Sequence, residues 1–581
     1  MSAHHPWRTL FAWIIVVATI TVLSSALGGD MDNTSDGGFT SRPESVVADD
    51  LIAEHFGEDP RATENIVVHS ETRTVDDPAF HAVVDATLTR LQPWRGDFSS
   101  VGNYYELAAS GAPQAASLVS ADRQSLLIPV TFSGEPGDYA DRGADFVKAA
   151  QGARTAEVEI YAVGDISAEE AFGAILEEDL SREVSVGLPM AAIILVVVFG
   201  ALVAAFLPLA IGILAIVTTT GILGLLAHLM VVDASTMSIV SMIGLAVGID
   251  YALFYFERFR EERRHGTLKI DAIERAGGTA GKAVLFSGGT VILALGGLLL
   301  MPIDAFQGIG IAVGITVVVA VAAALTLLPA LMRLIGDWAS IPRFGIIRKL
   351  RRQDRTGIAE FEDAGRPGEG LWGHVASAVM RRPVVALLAS VVILVAFALP
   401  ALTMRLGQSS SDTMPDTDFK RGYLIIAEDF GAGLASPMTT VVEGDVSDPE
   451  TRAGIDRLVS SLESDRRFTE VTIAKSDDGL LTRIDAVTQV DAYSGDAGDI
   501  VQEFRDEVVP DVFGQQADNV HLSGEAAFSV DFNSVLVDNL PAVLAFVLGL
   551  TFLLLLLAFR SVVVPLKAIA MNLLSVAAAY G

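Results

Sequence analysis

Asp250 is the only carboxylate in the apolar run Ile243-Gly-Leu-Ala-Val-Gly-Ile-Asp-Tyr-Ala-Leu-Phe254. If that run crosses a bilayer, the charge costs about 2.5–3.5 kcal/mol or more to insert. A group that costly is normally paired or put to use, and carrying protons is a common use. Ser287 and Thr290 sit in the next apolar run at a similar depth, where hydroxyls could hold the carboxylate and tune its proton affinity. The competing reading is an aspartate wetted from the nearer membrane surface, with no transport role. Leu253, Phe254, Tyr255 and Phe256 separate it from the charged stretch that begins at Glu257, which weighs against that reading. Tyr251 either donates a hydrogen bond to a carboxylate or is a packed tyrosine with a satisfied hydroxyl; the sequence leaves both open. Gly244 and Gly248, four residues apart, permit close helix approach and place this stretch inside a bundle.

Other candidate chemistry is weaker. Ala276-Gly-Gly-Thr-Ala-Gly-Lys-Ala283 imitates a phosphate-binding loop. Ala283 stands where the metal-binding hydroxyl belongs and no strand precedes it, so nucleotide binding is rejected. His228 falls near the end of an apolar run, where an interfacial place is the default. The Asp and His residues elsewhere lack metal-ligand spacing, and there is no cysteine. No metal, no cofactor and no catalytic constellation is expected, so the reading is not an enzyme. A net charge of −31 argues against nucleic acid as a partner.

These residues need a membrane to position them. The chain has 581 residues, 51% of them hydrophobic, and a mean hydropathy of +0.47. Spans of about 20 apolar residues can be drawn at 10–27, 184–205, 207–229, 236–256, 283–301, 309–331, 384–402, 540–558 and 562–581. The first is too long, and too poor in a small-residue cleavage site, for a cleaved leader. Asp and Glu crowd 30–182 and 404–538. Arg258, Arg260, Arg263, Arg264, Arg348, Lys349, Arg351, Arg352, Arg381 and Arg382 crowd the segments between spans. The positive-inside rule puts these basic segments and the N-terminus in the cytoplasm and both acidic regions outside the cytoplasmic membrane. The expected division is a first span at 1–29, an exterior domain at 30–183 and a five-span bundle at 184–335. A cytoplasmic linker at 336–382, a seventh span at 383–403, a second exterior domain at 404–538 and two further spans at 539–581 follow.

The chain also reads as two copies of one plan. Ile52-Ala-Glu-His-Phe-Gly57 returns as Ile426-Ala-Glu-Asp-Phe-Gly431, Val67-Val68 as Val441-Val442, and Val163-Gly-Asp165 as Ser523-Gly-Glu525. In the first acidic region strands are expected at 65–69, 98–103, 125–132 and 157–163. Helices are expected from Asp77-Pro78 to Leu91 and at 140–150; proline after an aspartate cap is a helix start. The second region gives strands at 439–443, 468–474, 481–490 and 519–522, with helices from Asp448-Pro449 and at 498–508. Both read β-α-β-β-α-β, the ferredoxin-like order. The fold class expected is a polytopic α-helical membrane protein of two pseudo-repeats with two extracytoplasmic α/β domains. By that symmetry the chain is a fragment lacking about three spans, and parallel repeats are a transporter signature.

At this point the chain resembles the resistance-nodulation-division (RND) exporters, and within them the mycobacterial-membrane-protein-large (MMPL) branch. The residues that carry the resemblance are Gly244-x-x-x-Gly248-Ile-Asp250-Tyr251-Ala252-Leu-Phe254, then Arg258-x-Arg260-Glu-Glu262. Pro43, Ser45, Phe56-Gly57, Ala283-Val-Leu-Phe-Ser287-Gly-Gly-Thr290 and Leu327-Leu-Pro-Ala-Leu331 belong to it as well. The resemblance implies export of lipids or other hydrophobic small molecules driven by proton influx. It also implies that Asp250 and Tyr251 are the first of two Asp-Tyr pairs, the second falling beyond Gly581. One departure is Gly200, where the second half has Arg560. The partners implied are the hydrophobic substrate, protons and membrane lipids; a homo-oligomer or accessory envelope proteins are compatible with it. The competing functions are a lipid- or sterol-sensing scaffold of the Patched type, an envelope-assembly partner, a drug or secondary-metabolite pump, and an inactive remnant.

Overall fold

A computed structural model describes residues 2–28, 38–56, 61–199, 202–230, 232, 235–339, 371–403, 414–431, 433–434 and 436–581. Gly57, Gly200 and most of the basic linker expected at 336–382, including Arg348 to Arg352, lie outside the described residues. Helix α1 (Pro6–Leu27) is followed by α2 (Glu44–Phe56) and then by β1 (Thr63–His69), α3 (Pro78–Arg90), β2 (Phe98–Val101), α4 (Tyr104–Ser110), β3 (Ser125–Phe132), α5 (Gly143–Gln151) and β4 (Glu159–Gly164). Next come α6 (Asp165–Arg182), α7 (Leu188–Phe199), α8 (Leu202–Leu226), α9 (Ser235–Arg264), α10 (Lys269–Leu295) and α11 (Asp304–Ala339). The second half has α12 (Leu371–Arg381), α13 (Pro383–Ala398), α14 (Asp418–Ile426), β5 (Met438–Glu443), α15 (Pro449–Ser464), β6 (Phe468–Lys475), β7 (Leu481–Thr488), α16 (Gly495–Glu503), α17 (Val509–Phe513), β8 (Val520–Ser523), α18 (Glu525–Phe559) and α19 (Val563–Tyr580).

Each half holds one four-stranded antiparallel sheet. The strand orders are β2-β3-β1-β4 and β6-β7-β5-β8, so the first strand of each set lies between its third and fourth. Both α3 and α15 open on an aspartate cap and a first-turn proline. Asp77 accepts from the Ala79 N–H at 2.9 Å, and Asp448 from the Thr451 N–H at 3.1 Å. Because alternate strand residues face opposite sides, Ile66 and Val68 enter the core under α3 and α5 with Phe80, Phe132 and Phe146. Val67 faces the other way.

What covers those other faces comes from the opposite half. Helix α14 packs Tyr423 and Ile426 on Val67, Leu127, Tyr161 and Val163 of the first sheet. Helix α2 packs Ala48, Leu51, Ile52 and Phe56 on Val441 and Leu481 of the second. The repeated hexapeptide therefore marks two crossing helices, which the sequence reading left unassigned.

Eight described helices are long and apolar enough to cross a membrane. The run expected at 184–205 is met by a π turn at Glu183–Gly187 and by α7, which together join α6 to the membrane helices. The helix that holds the fifth span, α10, starts at Lys269, ahead of the apolar run drawn at 283–301. The glycines that imitate a phosphate loop are thus mid-helix, where Ala276 and Gly281 are buried against neighbours. Helices α8, α9, α10 and α11 pack together with α1 alongside, and α18 leans on α10.

Candidate functional site

The candidate site lies along α9. Its small residues set how closely the neighbours come. A Cβ on Gly248 would sit 2.5 Å from the Gly212 Cα of α8, and one on Gly244 would sit 2.8 Å from Ile216 Cγ1 and 3.1 Å from Thr316 Cγ2 of α11. Helices α8 and α9 therefore touch backbone to backbone, with no room for a side chain between them. Thr316, fully buried, was not singled out in the sequence; its place opposite Gly244 depends on a long-range contact.

Tyr251 is buried in the cluster formed with Val284, Val317 and Val321. At Gly288 of α10 an added Cβ would meet Val321 Cγ2 of α11 at 2.4 Å, with the Tyr251 Oη next at 3.4 Å. The Tyr251 hydroxyl is within hydrogen-bonding reach of the Ser287 side chain. One turn on, the Tyr255 hydroxyl donates to the Ile273 carbonyl at 2.9 Å. Two tyrosines thus tie α9 to α10.

Asp250 itself is on the exposed side of α9. Among the described residues no hydrogen bond or ion pair holds its carboxylate. Ser287 is brought to Tyr251 rather than to Asp250. The Thr290 hydroxyl returns to the Phe286 carbonyl of its own helix at 2.9 Å, a common resting place for a helical threonine. Toward its C-terminal end α9 is held by ion pairs, Arg258–Glu262 at 3.0 Å and Arg275–Glu262 at 3.3 Å. His228 Nε2 donates to the Leu27 carbonyl at 2.6 Å, linking the ends of α8 and α1. No group of three or more potential metal ligands occurs among the described residues.

A second polar centre, not anticipated from sequence, lies where the α/β domains meet the membrane helices. Glu64 is 1% exposed. One carboxylate oxygen accepts from the Ser167 N–H at 2.7 Å and the other from the Ser167 hydroxyl at 2.8 Å, at the start of α6. Burial pushes the Glu64 carboxyl up to about 8; the two Ser167 bonds pull the other way, and nearby Asp165 adds to the rise. In the other half Asp531 of α18 accepts from Arg505 Nη1 at 2.6 Å and from Arg505 Nη2 at 3.1 Å. Asp531 also takes the Ser45 N–H of α2 at 2.8 Å. Glu64 stands between Thr63 and Asn65 at the polar start of β1, so neither it nor Asp531 offered a sequence signal.

A bundle of long apolar helices, a lone carboxylate on one of them and two α/β domains define a polytopic membrane protein. The MMPL family model matches residues 39–386 and 411–581, and the chain belongs to the MMPL family, within the RND transporters. It is 30% identical to the "Mycolic acid-containing lipids exporter MmpL11" of Mycolicibacterium smegmatis, over 99% of this chain and 59% of that protein. It is 32% identical to the "Heme uptake protein MmpL11" of Mycobacterium tuberculosis, over 75% of this chain and 44% of that protein. The chain thus spans less than two thirds of the length of these curated relatives. Among solved structures it shares the fold of the hedgehog release protein Disp from the water bear Hypsibius dujardini. The TM-score is 0.53 at 14% identity, covering 99% of this chain and 85% of that one.

Proposed function

We propose that this chain is the working part of a proton-driven exporter of lipids or other hydrophobic small molecules across the cytoplasmic membrane. In this reading Asp250 and Tyr251 form the proton relay, and the N-terminus is cytoplasmic with both α/β domains outside. The observation that carries the reading is Asp250, the one carboxylate between Ser235 and Phe256, on a helix packed through Gly248 and Tyr251. An exposed carboxylate at that depth lies in hydrocarbon, so protonation relieves a costly charge. Loss of the proton to the cytoplasm resets it. Tyr251, held by Ser287, fixes the helix face on which the carboxylate stands. The matching strand orders of the two sheets support two ferredoxin-like pseudo-repeats. The relative named as a lipid exporter supports the substrate class.

The test is Asp250→Asn in the full-length transporter, with envelope-lipid export measured in energised cells. Export is expected to be abolished while membrane abundance stays normal. Unchanged export at normal abundance would remove the relay. Inward movement of heme, dependent on Asp250, would keep the relay and reverse the cargo's direction.

A further inference from the structure

The two crossing helices are pinned at both ends, and the two ends behave differently. At the N-terminal ends the chemistry is the same in both. Glu44 of α2 pairs with Arg505 of the second domain at 2.9 Å. Asp418 of α14 pairs with Arg154 of the first domain at 2.8 Å. An acid meets an arginine in each case, so these ends would pair equally well if the helices exchanged partners.

The C-terminal ends are opposite in sign. His55 of α2 meets Asp478 of the second domain, with Nδ1 2.7 Å from Oδ2. Asp429, just after α14, accepts from the Ser125 hydroxyl of the first domain and lies 3.8 Å from His69 Nδ1. Ser125 is 2.7 Å from the same His69 nitrogen. The receiving loops are otherwise alike: Ser120 donates to Asp122, and Ser476 to Asp478, each at 2.6 Å just before β3 or β7. His55 and Asp429 occupy the only position at which the two hexapeptides differ. Docked the wrong way round, Asp429 would face Asp478, whereas His55 would still find an aspartate, Asp122, so the barrier to exchange is the pair of carboxylates. Two carboxylates brought together repel, whereas each observed pairing sets a carboxylate against donors.

We propose that His55 and Asp429 decide which α/β domain each crossing helix docks on. They are positioning residues: they hold the two halves in a crossed arrangement and touch no substrate.

The chain has no cysteine, so engineered disulfides report docking directly. Ala48→Cys with Val441→Cys reports α2 on the second domain. Val67→Cys with Ile426→Cys reports α14 on the first. In membranes of cells making the full-length transporter, His55→Asp should lower the first cross-link by about fivefold, the change a modest pair energy produces. The second cross-link should persist and show that the molecules are folded. Adding Asp478→His to His55→Asp should restore the first cross-link. A His55→Asp protein that cross-links like its parent overturns the proposal. So does failure of Asp478→His to restore the lost cross-link, whatever the single change does to folding.

Discussion

The two junctions between sheet and membrane helix are built on one backbone plan with different charges. At the first, Glu64 lies opposite Gly164 in the strand pairing and closes on Ser167, three residues into the helix connection. At the second, the register of β5 with β8 carries Met438 to the place opposite Gly524. Ala527 stands three residues beyond that glycine, and both are buried in the domain core. A carboxyl–hydroxyl pair in one half is therefore an apolar pair in the other. The second half moves its charge about one turn along the helix, to Asp531 and Arg505, where the first half has Ala171. One helix root is fastened by a group that can lose a proton, the other by an ion pair whose partners hold each other. The comparison teaches that the same architecture can carry a buried proton-binding carboxyl on one side and an arginine–carboxylate ion pair on the other.

The largest expected effect tests the second joint. Asp531→Ala leaves Arg505 buried beside Glu44 alone and removes the acceptor for the Ser45 N–H. The cost should be about 3–5 kcal/mol, read as a lower midpoint of thermal unfolding in detergent. An intermediate effect tests the first. The Glu64 carboxyl is raised in the folded protein, so the folded state holds its proton more tightly than the unfolded chain does. The stability this contributes is complete below the ordinary carboxyl range, about pH 4.5, and is lost as pH rises through about 8. Glu64→Gln keeps the neutral hydrogen-bonding shape. It should match the parent near pH 5 and unfold at a higher temperature than the parent above pH 8. A parent protein whose unfolding temperature does not fall over that window would break the contrast. The smallest effect is expected from copying one junction into the other. Glu64→Met with Ser167→Ala should change stability by less than about 1 kcal/mol, since replacing a paired buried polar group with packed apolar atoms is often neutral. It should also leave an unfolding temperature that no longer follows pH in this range.

Much of this fold is legible in local sequence. Apolar run length marks the spans, and Asp77-Pro78 and Asp448-Pro449 mark helix starts to the residue. Short runs such as Ile66-Val67-Val68 and Val441-Val442 mark β1 and β5 without alternation, because both faces of each sheet are covered. The crossing of α2 and α14 is not legible, since Tyr423 meets Tyr161 across a sequence gap that no periodicity spans. The hexapeptide repeat signalled that something recurs there, and the His55–Asp429 difference held the key to its geometry. At the candidate site, Asp250, Tyr251 and the two glycines are visible because charge, aromatic and small residues stand out in an apolar helix. That Ser287 lies beside Tyr251 and not Asp250 is a fact of packing between helices.

The crossing also sets a schedule for synthesis. The outer face of the first sheet, with Val67, Leu127, Tyr161 and Val163, receives its cover from Tyr423 and Ile426, roughly 260 residues later in the chain. At about 5–20 residues per second of translation, that apolar face waits roughly 13–52 s after Val163 is made. During that interval it is open to any passing strand or apolar helix. The first domain therefore matures only after α14, which follows α13, has been made.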